Sequence, residues 1–156
     1  MITLTDNIDW VKPVFEQYMW HMKQYYQVTD VQAWIDRANK YYELYRTEAE
    51  RKVYVATSSD ELIGFALINN ICRFNSGGNA VAEFYITPNN QRKGVGRELS
   101  EFVFDQLPGQ WEICVTSGND NAYMFWSKVI AKYTGENYSV KSGDHYDGEA
   151  FVFSSA

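Results

Sequence analysis

The stretch Ala82-Glu83-Phe84-Tyr85-Ile86-Thr87-Pro88-Asn89-Asn90-Gln91-Arg92-Lys93-Gly94-Val95-Gly96-Arg97-Glu98-Leu99 concentrates the residues able to do chemistry. Its first part reads as a strand, Pro88-Asn89-Asn90 ends it, and a helical pattern begins at Gly94. A glycine has no Cβ, so Gly94 and Gly96 let backbone amides approach a ligand closely. The helix start adds unpaired N–H groups and the positive end of a dipole, which together suit an anion. Arg92, Lys93 and Arg97 cluster at the same place. A phosphate or pyrophosphate site follows, the alternative being a solvated basic loop in which Gly94 merely makes a turn. The segment is not the nucleotide P-loop, which ends in Gly-Lys-Ser/Thr after four spacers. Nor is it the dinucleotide fingerprint, because no third glycine follows Gly96.

Acid–base chemistry has one leading candidate. Glu83 lies inside the strand between Ala82 and Phe84, where a carboxylate is costly unless it is used or paired. It is a candidate general base; the alternatives are a paired structural glutamate and a residue at a solvated strand edge. Asp147, Glu149 and His145 are weaker candidates, and His21, beside Trp20 and Met22, reads as packed or surface-exposed. Cys72 and Cys114 cannot make a disulfide framework or a four-ligand zinc site unaided. With two histidines, no metal constellation can be drawn, so no metal is expected. Cys114, mid-strand, reads as a buried small apolar residue rather than a nucleophile.

The elements that must position these groups follow from hydrophobic period. After Asp9 as N-cap, Val11, Phe15, Tyr18, Met22 and Tyr25 recur at helical spacing, with Pro13 tolerated in the first turn. A second helix starts at Thr29-Asp30 and carries Val31, Trp34, Ile35, Ala38, Tyr41, Tyr42 and Tyr45 inward. Runs 53–56 and 62–68 are strands joined by a hairpin turn, and Ala80 to Ile86 is a third strand. The helix from Gly94 presents Val95, Leu99, Phe102, Val103, Phe104 and Leu107 until Pro108-Gly109 stops it. A strand from Trp111 to Thr116, a helix from Asn119 to Lys132, and a hairpin of 137–141 with 147–153 complete the chain. This order predicts a mixed α/β (α+β) sheet covered by helices.

Composition bounds the rest. At 156 residues, 1–156 is expected to be a single domain, large enough to bury a core without staples. Fourteen Lys and Arg against 20 Asp and Glu give a formal charge of -6, which argues against nucleic-acid binding. No apolar run approaches a membrane span, and the N-terminus lacks a secretion signal, so a cytoplasmic protein is expected.

Gln91-Arg92-Lys93-Gly94-Val95-Gly96 resembles the Gln/Arg-x-x-Gly-x-Gly/Ala motif of the GNAT (Gcn5-related) N-acetyltransferases. Asn119-x-x-Ala122-x-x-Phe125-Trp126-x-Lys128 resembles that family's second signature, Asn-x-x-Ala-x-x-Phe/Leu-Tyr-x-Lys. The resemblance implies the GNAT acyl-CoA N-acyltransferase fold, a mixed, mostly antiparallel sheet flanked by helices. It implies acetyl-CoA as co-substrate and an amine acceptor attacked directly in a ternary complex. It places Phe84, Tyr85 and Ile86 along the pantetheine arm. Gln91, Arg92, Lys93, Gly94, Val95 and Gly96 fall at the pyrophosphate, with backbone N–H groups from Arg92 onward binding it. Asn119 falls near the thioester end, and Phe125 packs its helix against the cofactor. A homodimer is compatible with the resemblance, which names neither acceptor nor oligomeric state.

One position departs from the pattern. Where many family members have a tyrosine that protonates the departing thiolate, this chain has Trp126, whose indole N–H is a donor only. Tyr123, one turn earlier, is the candidate replacement, with Tyr133 and water as alternatives. The departure keeps a second class of function open, a non-catalytic acyl-CoA-binding module. Ten of 26 aromatics precede residue 46, where the resemblance puts the acceptor roof. Core burial accounts for most of them; Tyr25, Tyr26 and Tyr41 are the candidates for contact with a hydrophobic or cationic acceptor.

Overall fold

The computed structural model describes residues 3–144 and 146–155. The strands are β1 (Thr3–Thr5), β2 (Lys52–Ser58), β3 (Glu61–Asn69), β4 (Asn79–Ile86), β5 (Gly109–Thr116), β6 (Ser139–Gly143) and β7 (Tyr146–Ser155). The α-helices are α1 (Lys12–Met22), α2 (Val31–Thr47), α3 (Val95–Gln106) and α4 (Asp120–Thr134). Among the described residues the seven strands form one sheet, in spatial order β1-β2-β3-β4-β5-β7-β6. Every neighbouring pair is antiparallel except β4 with β5. The mixed, mostly antiparallel sheet flanked by helices is the architecture expected from the sequence.

Local chemistry sets the boundaries. Asp30 Oδ1 accepts the Ala33 N–H at 3.0 Å and starts α2 as anticipated. Asp9 does not cap the first helix. Asn7 Oδ1 accepts the Asp9 N–H at 3.0 Å, which nucleates a 3-10 turn over Ile8–Trp10 and delays α1 to Lys12. Ser59 and Asp60, with φ of 50° and 62°, make the left-handed two-residue turn that matches strand twist in a hairpin. Strand β1 was not anticipated, since three residues are too short to display a period. Tyr41, expected inward, is 61 % exposed, because the buried stripe of α2 centres on Ile35 and Tyr42.

Two hydrophobic layers cover the sheet. On one face α3 and α4 pack Leu99, Phe104, Trp126 and Ile130 against Trp111, Ile113 and Phe151. On the other, α1 and α2 pack Val11, Phe15, Tyr18, Ile35 and Tyr42 against Val55, Phe65 and Leu67. Alternation along β5 therefore sends Trp111, Ile113 and Val115 to the first face, and Glu112, Cys114 and Thr116 to the second.

Among the register shifts of the sheet, the one in β4 bears on the fork. Leu67 pairs with Glu83 but Ile68 pairs with Val81, so Ala82 is an extra residue on β4. Val81 and Phe84 consequently join the α3/α4 layer, while Ala82 joins the α1/α2 layer and Glu83 meets Tyr18 of α1. Such a bulge bends and twists its strand. On the far side of β4 the parallel ladder to β5 holds only Asn79–Trp111 and Ala80–Glu112. From Val81 onward β4 has no partner there, and the two strands part into a fork.

Trp111 anchors β5 beneath this fork. It is 0 % exposed, and its Nε1–H lies 3.0 Å from the Leu107 carbonyl and 3.1 Å from Ser155 Oγ. Trp111→Ala is expected to lower unfolding stability by about 3–5 kcal/mol in urea titration. A loss below ~1 kcal/mol would mean that β5 is held elsewhere.

Candidate active site

The loop from Thr87 to Gly94 is built to present the start of α3. Thr87 donates through both N–H and Oγ1 to the Ile63 carbonyl, at 3.0 and 3.2 Å. Gln91 reaches back with Nε2 to the Ile86 carbonyl at 2.9 Å. Arg92 and Gly94 both take left-handed backbone conformations, φ 62° and 83°. A Cβ on Gly94 would meet nothing within 4 Å, so its requirement is conformational rather than steric. The first helical bond runs from the Glu98 N–H to the Gly94 carbonyl at 3.1 Å. The N–H groups of Val95, Gly96 and Arg97 therefore have no acceptor within the helix. The side chains of Arg92, Lys93 and Arg97 are exposed and enter no salt bridge among the described residues.

Gly96 answers to packing as well as to approach. A Cβ there would lie 2.7 Å from Phe125 Cε1, so the glycine lets the Phe125 ring close onto α3. Phe125 in turn lies 5.6 Å from Phe84, ring centre to ring centre. Phe84, Ile86 and Phe125 thus form the apolar floor of the fork on the α3/α4 side. Tyr85 points the other way and is buried against Tyr18 and Phe65.

Glu83 is partly buried on the α1/α2 side of the fork, and the Tyr18 hydroxyl donates to its Oε2. Burial pushes the carboxyl up to about 7, against the pull of the Tyr18 hydrogen bond. Burial first, then the Glu83 charge, drives the Tyr18 hydroxyl well above its ordinary range, so it stays protonated. Of the sequence alternatives, Glu83 combines two, being paired with Tyr18 while it keeps partial exposure on the stretch of β4 that β5 leaves free. Glu83 is both paired and poised to exchange a proton near neutral pH.

The opposite wall comes from β5, β7 and the β3–β4 connection. Glu112 is 1 % exposed and accepts the backbone N–H groups of Arg73, Phe74 and Asn75, at 2.5, 3.0 and 2.9 Å. This pins the connection onto the sheet and holds the Arg73 guanidinium 4.8 Å over the Tyr146 ring. Thr116 Oγ1 bridges Tyr26 and Tyr146, 3.2 Å from each hydroxyl. Cys114 is only half-buried, and its thiol contacts Glu112 Oε2 at 3.6 Å rather than an apolar core. Burial, then Glu112, pushes that thiol up to about 12, which removes the thiolate a nucleophile needs. Sequence reasoning missed Tyr18, Glu112, Thr116 and Tyr146. Glu112 carried the same signal as Glu83, a carboxylate inside a strand; the others carried none, since helical and strand period alone explained them.

Helix α4 contributes less directly. Asn119 Oδ1 accepts the Ala122 N–H at 3.2 Å and caps the helix, leaving its Nδ2 group without a partner among the described residues. Tyr123 packs 5.0 Å from Phe151 and borders a cleft of about 290 Å³ with Thr116, Asn119, Gly148 and Glu149. Trp126 is 5 % exposed, sealed 4.8 Å from both Phe84 and Phe125. Tyr133 is engaged elsewhere, donating to Asp105 Oδ1 at 2.7 Å. Asp147 and Glu149 are exposed and alternate onto the Phe151 face, opposite Glu83. His145 lies outside the described residues. His21 and Tyr25 are edge-on at 6.3 Å, and His21 lies 6.0 Å from Tyr85.

This arrangement joins an unpaired strand edge, a row of free helix-start amides and one near-neutral carboxyl. Comparison with known proteins assigns the chain to a class. The family model described as Acetyltransferase (GNAT) family matches residues 14–130, and the chain belongs to that family. The structure resembles PaiA N-acetyltransferase of Thermoplasma acidophilum, solved in complex with coenzyme A (TM-score 0.67, 15 % identity, 97 % of this chain and 98 % of that one). It also resembles a GNAT-family acetyltransferase of Staphylococcus aureus (TM-score 0.70, 9 % identity, 100 % of both chains). A probable acetyltransferase of Staphylococcus epidermidis is similar over 100 % of both chains, with TM-score 0.66 and 16 % identity. No curated relative matches the chain.

The Glu83 carboxyl makes stability depend on pH. Its folded pKa of about 7 exceeds the unfolded value of about 4.3, so between them the folded chain binds more protons. This contribution is full at low pH and is lost as pH rises through 7. Glu83→Gln should therefore gain stability relative to the wild type at pH 8 and little at pH 4, read by urea unfolding at each pH. Equal differences at both would mean that Glu83 does not titrate abnormally.

Proposed function

We propose that the chain, read as one domain, transfers acetyl from acetyl-CoA to an amine by direct attack in a ternary complex. The observation that carries this reading is the β4–β5 fork with a carboxyl titrating near 7 on its wall. The free edge of β4 at Phe84, Tyr85 and Ile86 suits the amide-bearing pantetheine arm, which would add to the sheet like a strand. The N–H groups from Arg92 to Gly96, with the charges of Arg92 and Lys93, suit the pyrophosphate. Gln91 acts through the Ile86 carbonyl, holding the loop in shape. Val95 is buried beneath the loop, and the free Nδ2 of Asn119 is available to an acceptor near the thioester.

An alkylammonium of pKa about 10.4 costs about 4.6 kcal/mol to deprotonate at pH 7. Glu83 takes that proton to give the neutral amine, whose nitrogen then bonds to the acetyl carbon. As the carbon–sulfur bond breaks and the thiolate leaves with the electron pair, the nitrogen releases its second proton, which Tyr123 or water passes to the thiolate. Trp126 takes no part, being sealed in the core and unable to release a proton. That same burial supports the second reading, an acyl-CoA-binding module without turnover.

Acetyl-CoA at a hundred times its dissociation constant should add about 2.7 kcal/mol of stability, read as a thermal shift. No shift at millimolar cofactor would sink both readings. Free-thiol release over a panel of amines separates them: acceptor-dependent release marks the enzyme, and its absence the binding module. Gly94→Val should abolish the thermal shift, because a β-branched residue is strained at φ 83° and disturbs the amides of the loop. The far-ultraviolet spectrum should stay unchanged, since the loop is exposed and no neighbour is displaced. Glu83→Gln should keep the thermal shift and lose about 10²–10⁴ in turnover, the loss shrinking as pH rises and more acceptor arrives neutral.

A further inference from the structure

Tyr18 is 2 % exposed in the α1/α2 core, yet its hydroxyl is given to a carboxylate on β4. Its ring is held by Tyr85 at 5.2 Å, Phe65 at 5.3 Å and Phe15 at 6.1 Å, so it cannot swing away. Glu83 forms no salt bridge among the described residues, and Oε2 is the carboxyl oxygen with a hydrogen bond there. The one enclosed side-chain polar atom without a partner among those residues is Asn75 Nδ2, so the unbonded Oε1 of the partly buried Glu83 keeps contact with solvent. We propose that Tyr18 is the positioning residue of Glu83: it pins Oε2 against α1 and so presents Oε1 to the fork as the oxygen that takes the amine proton. The proposal rests on Glu83 acting as the base.

The surroundings leave Tyr18 this task. On α1 the other titratable group nearby is His21, set against Tyr85 rather than Glu83. Tyr26, from the α1–α2 connection, bonds with Thr116. From α2, Tyr45 feels the Glu83 charge but is raised chiefly by burial, and the Arg51 guanidinium lies 5.4 Å over its ring. Tyr85, on β4 itself, and Cys114, across the fork, are both held neutral by burial. The Tyr18 proton is therefore the contact that stabilises the charged form of Glu83 and orients it. A hydrogen bond to an ionised group has an effect of this kind that a purely packing tyrosine lacks.

Tyr18→Phe keeps the ring and its neighbours and removes only the oxygen. Two readouts test it, one needing no acceptor. Carbon-13 carboxyl resonances of glutamate-labelled protein, with Glu83 assigned by its loss in Glu83→Gln, should show the Glu83 midpoint rising by about one pH unit, equal to about 1.4 kcal/mol. In thiol-release assays with the best amine of the panel, the acidic limb of kcat/KM should move up by the same amount and recover at high pH. An unmoved midpoint, or a rate loss equal at all pH, overturns the role of Tyr18. Normal turnover by Glu83→Gln overturns the base assignment beneath it, whatever the Tyr18 variant does.

Discussion

The site depends on the parting of β4 from β5. Two parallel strands that stayed paired along their length would leave no backbone edge for a ligand and no passage between the two faces of the sheet. Here the ladder stops after two residue pairs, and the extra residue at Ala82 lies just beyond that point. A single inserted residue re-aims everything that follows, because side chains alternate with a period of two. It places Phe84 and Ile86 in the layer with α3 and α4 and turns Glu83 to the layer with α1 and α2.

The carboxylates of the second face are treated in two ways. Glu112 receives three backbone N–H donors and serves as a fixed anchor for the loop before β4. Glu83 receives one hydroxyl, and its burial is left largely uncompensated. A buried carboxyl with a single donor moves toward the protonated form. The two glutamates of this face therefore differ in the number of donors they receive. The same economy applies on α4, where Asn119 caps the helix with its oxygen and keeps its amide hydrogens free.

The departure at Trp126 has a packing consequence. The indole packs edge-on against Phe84 and Phe125, 4.8 Å from each, and α4 seats against β4 through three rings. Tyr123, one turn earlier, borders the open cleft beyond Thr116 together with Asp120 of the same helix.

Much of this was legible before any coordinates. The glycine loop, the helices starting at Asp30, Gly94 and Asn119, and the hairpin at Ser59-Asp60 are local features. Each is specified by residues within one or two turns of chain, through capping, positive φ and hydrophobic period. Glu83 was legible as an anomaly, a carboxylate where the pattern demanded an apolar residue. Its partner was not, because Tyr18 lies 65 residues away and looks like any other member of a buried helical stripe. The inward placement of Tyr41 and the apolar surroundings of Cys114 failed for the same reason: period assigns a face, not the groups that cover it. The sequence by itself determined the α-helices, every strand but β1, their order and the glycine loop before α3. Tertiary structure alone decided that the sheet opens beside Glu83 and that Tyr18 reaches it, since register, bulge and donor number arise only when distant segments meet.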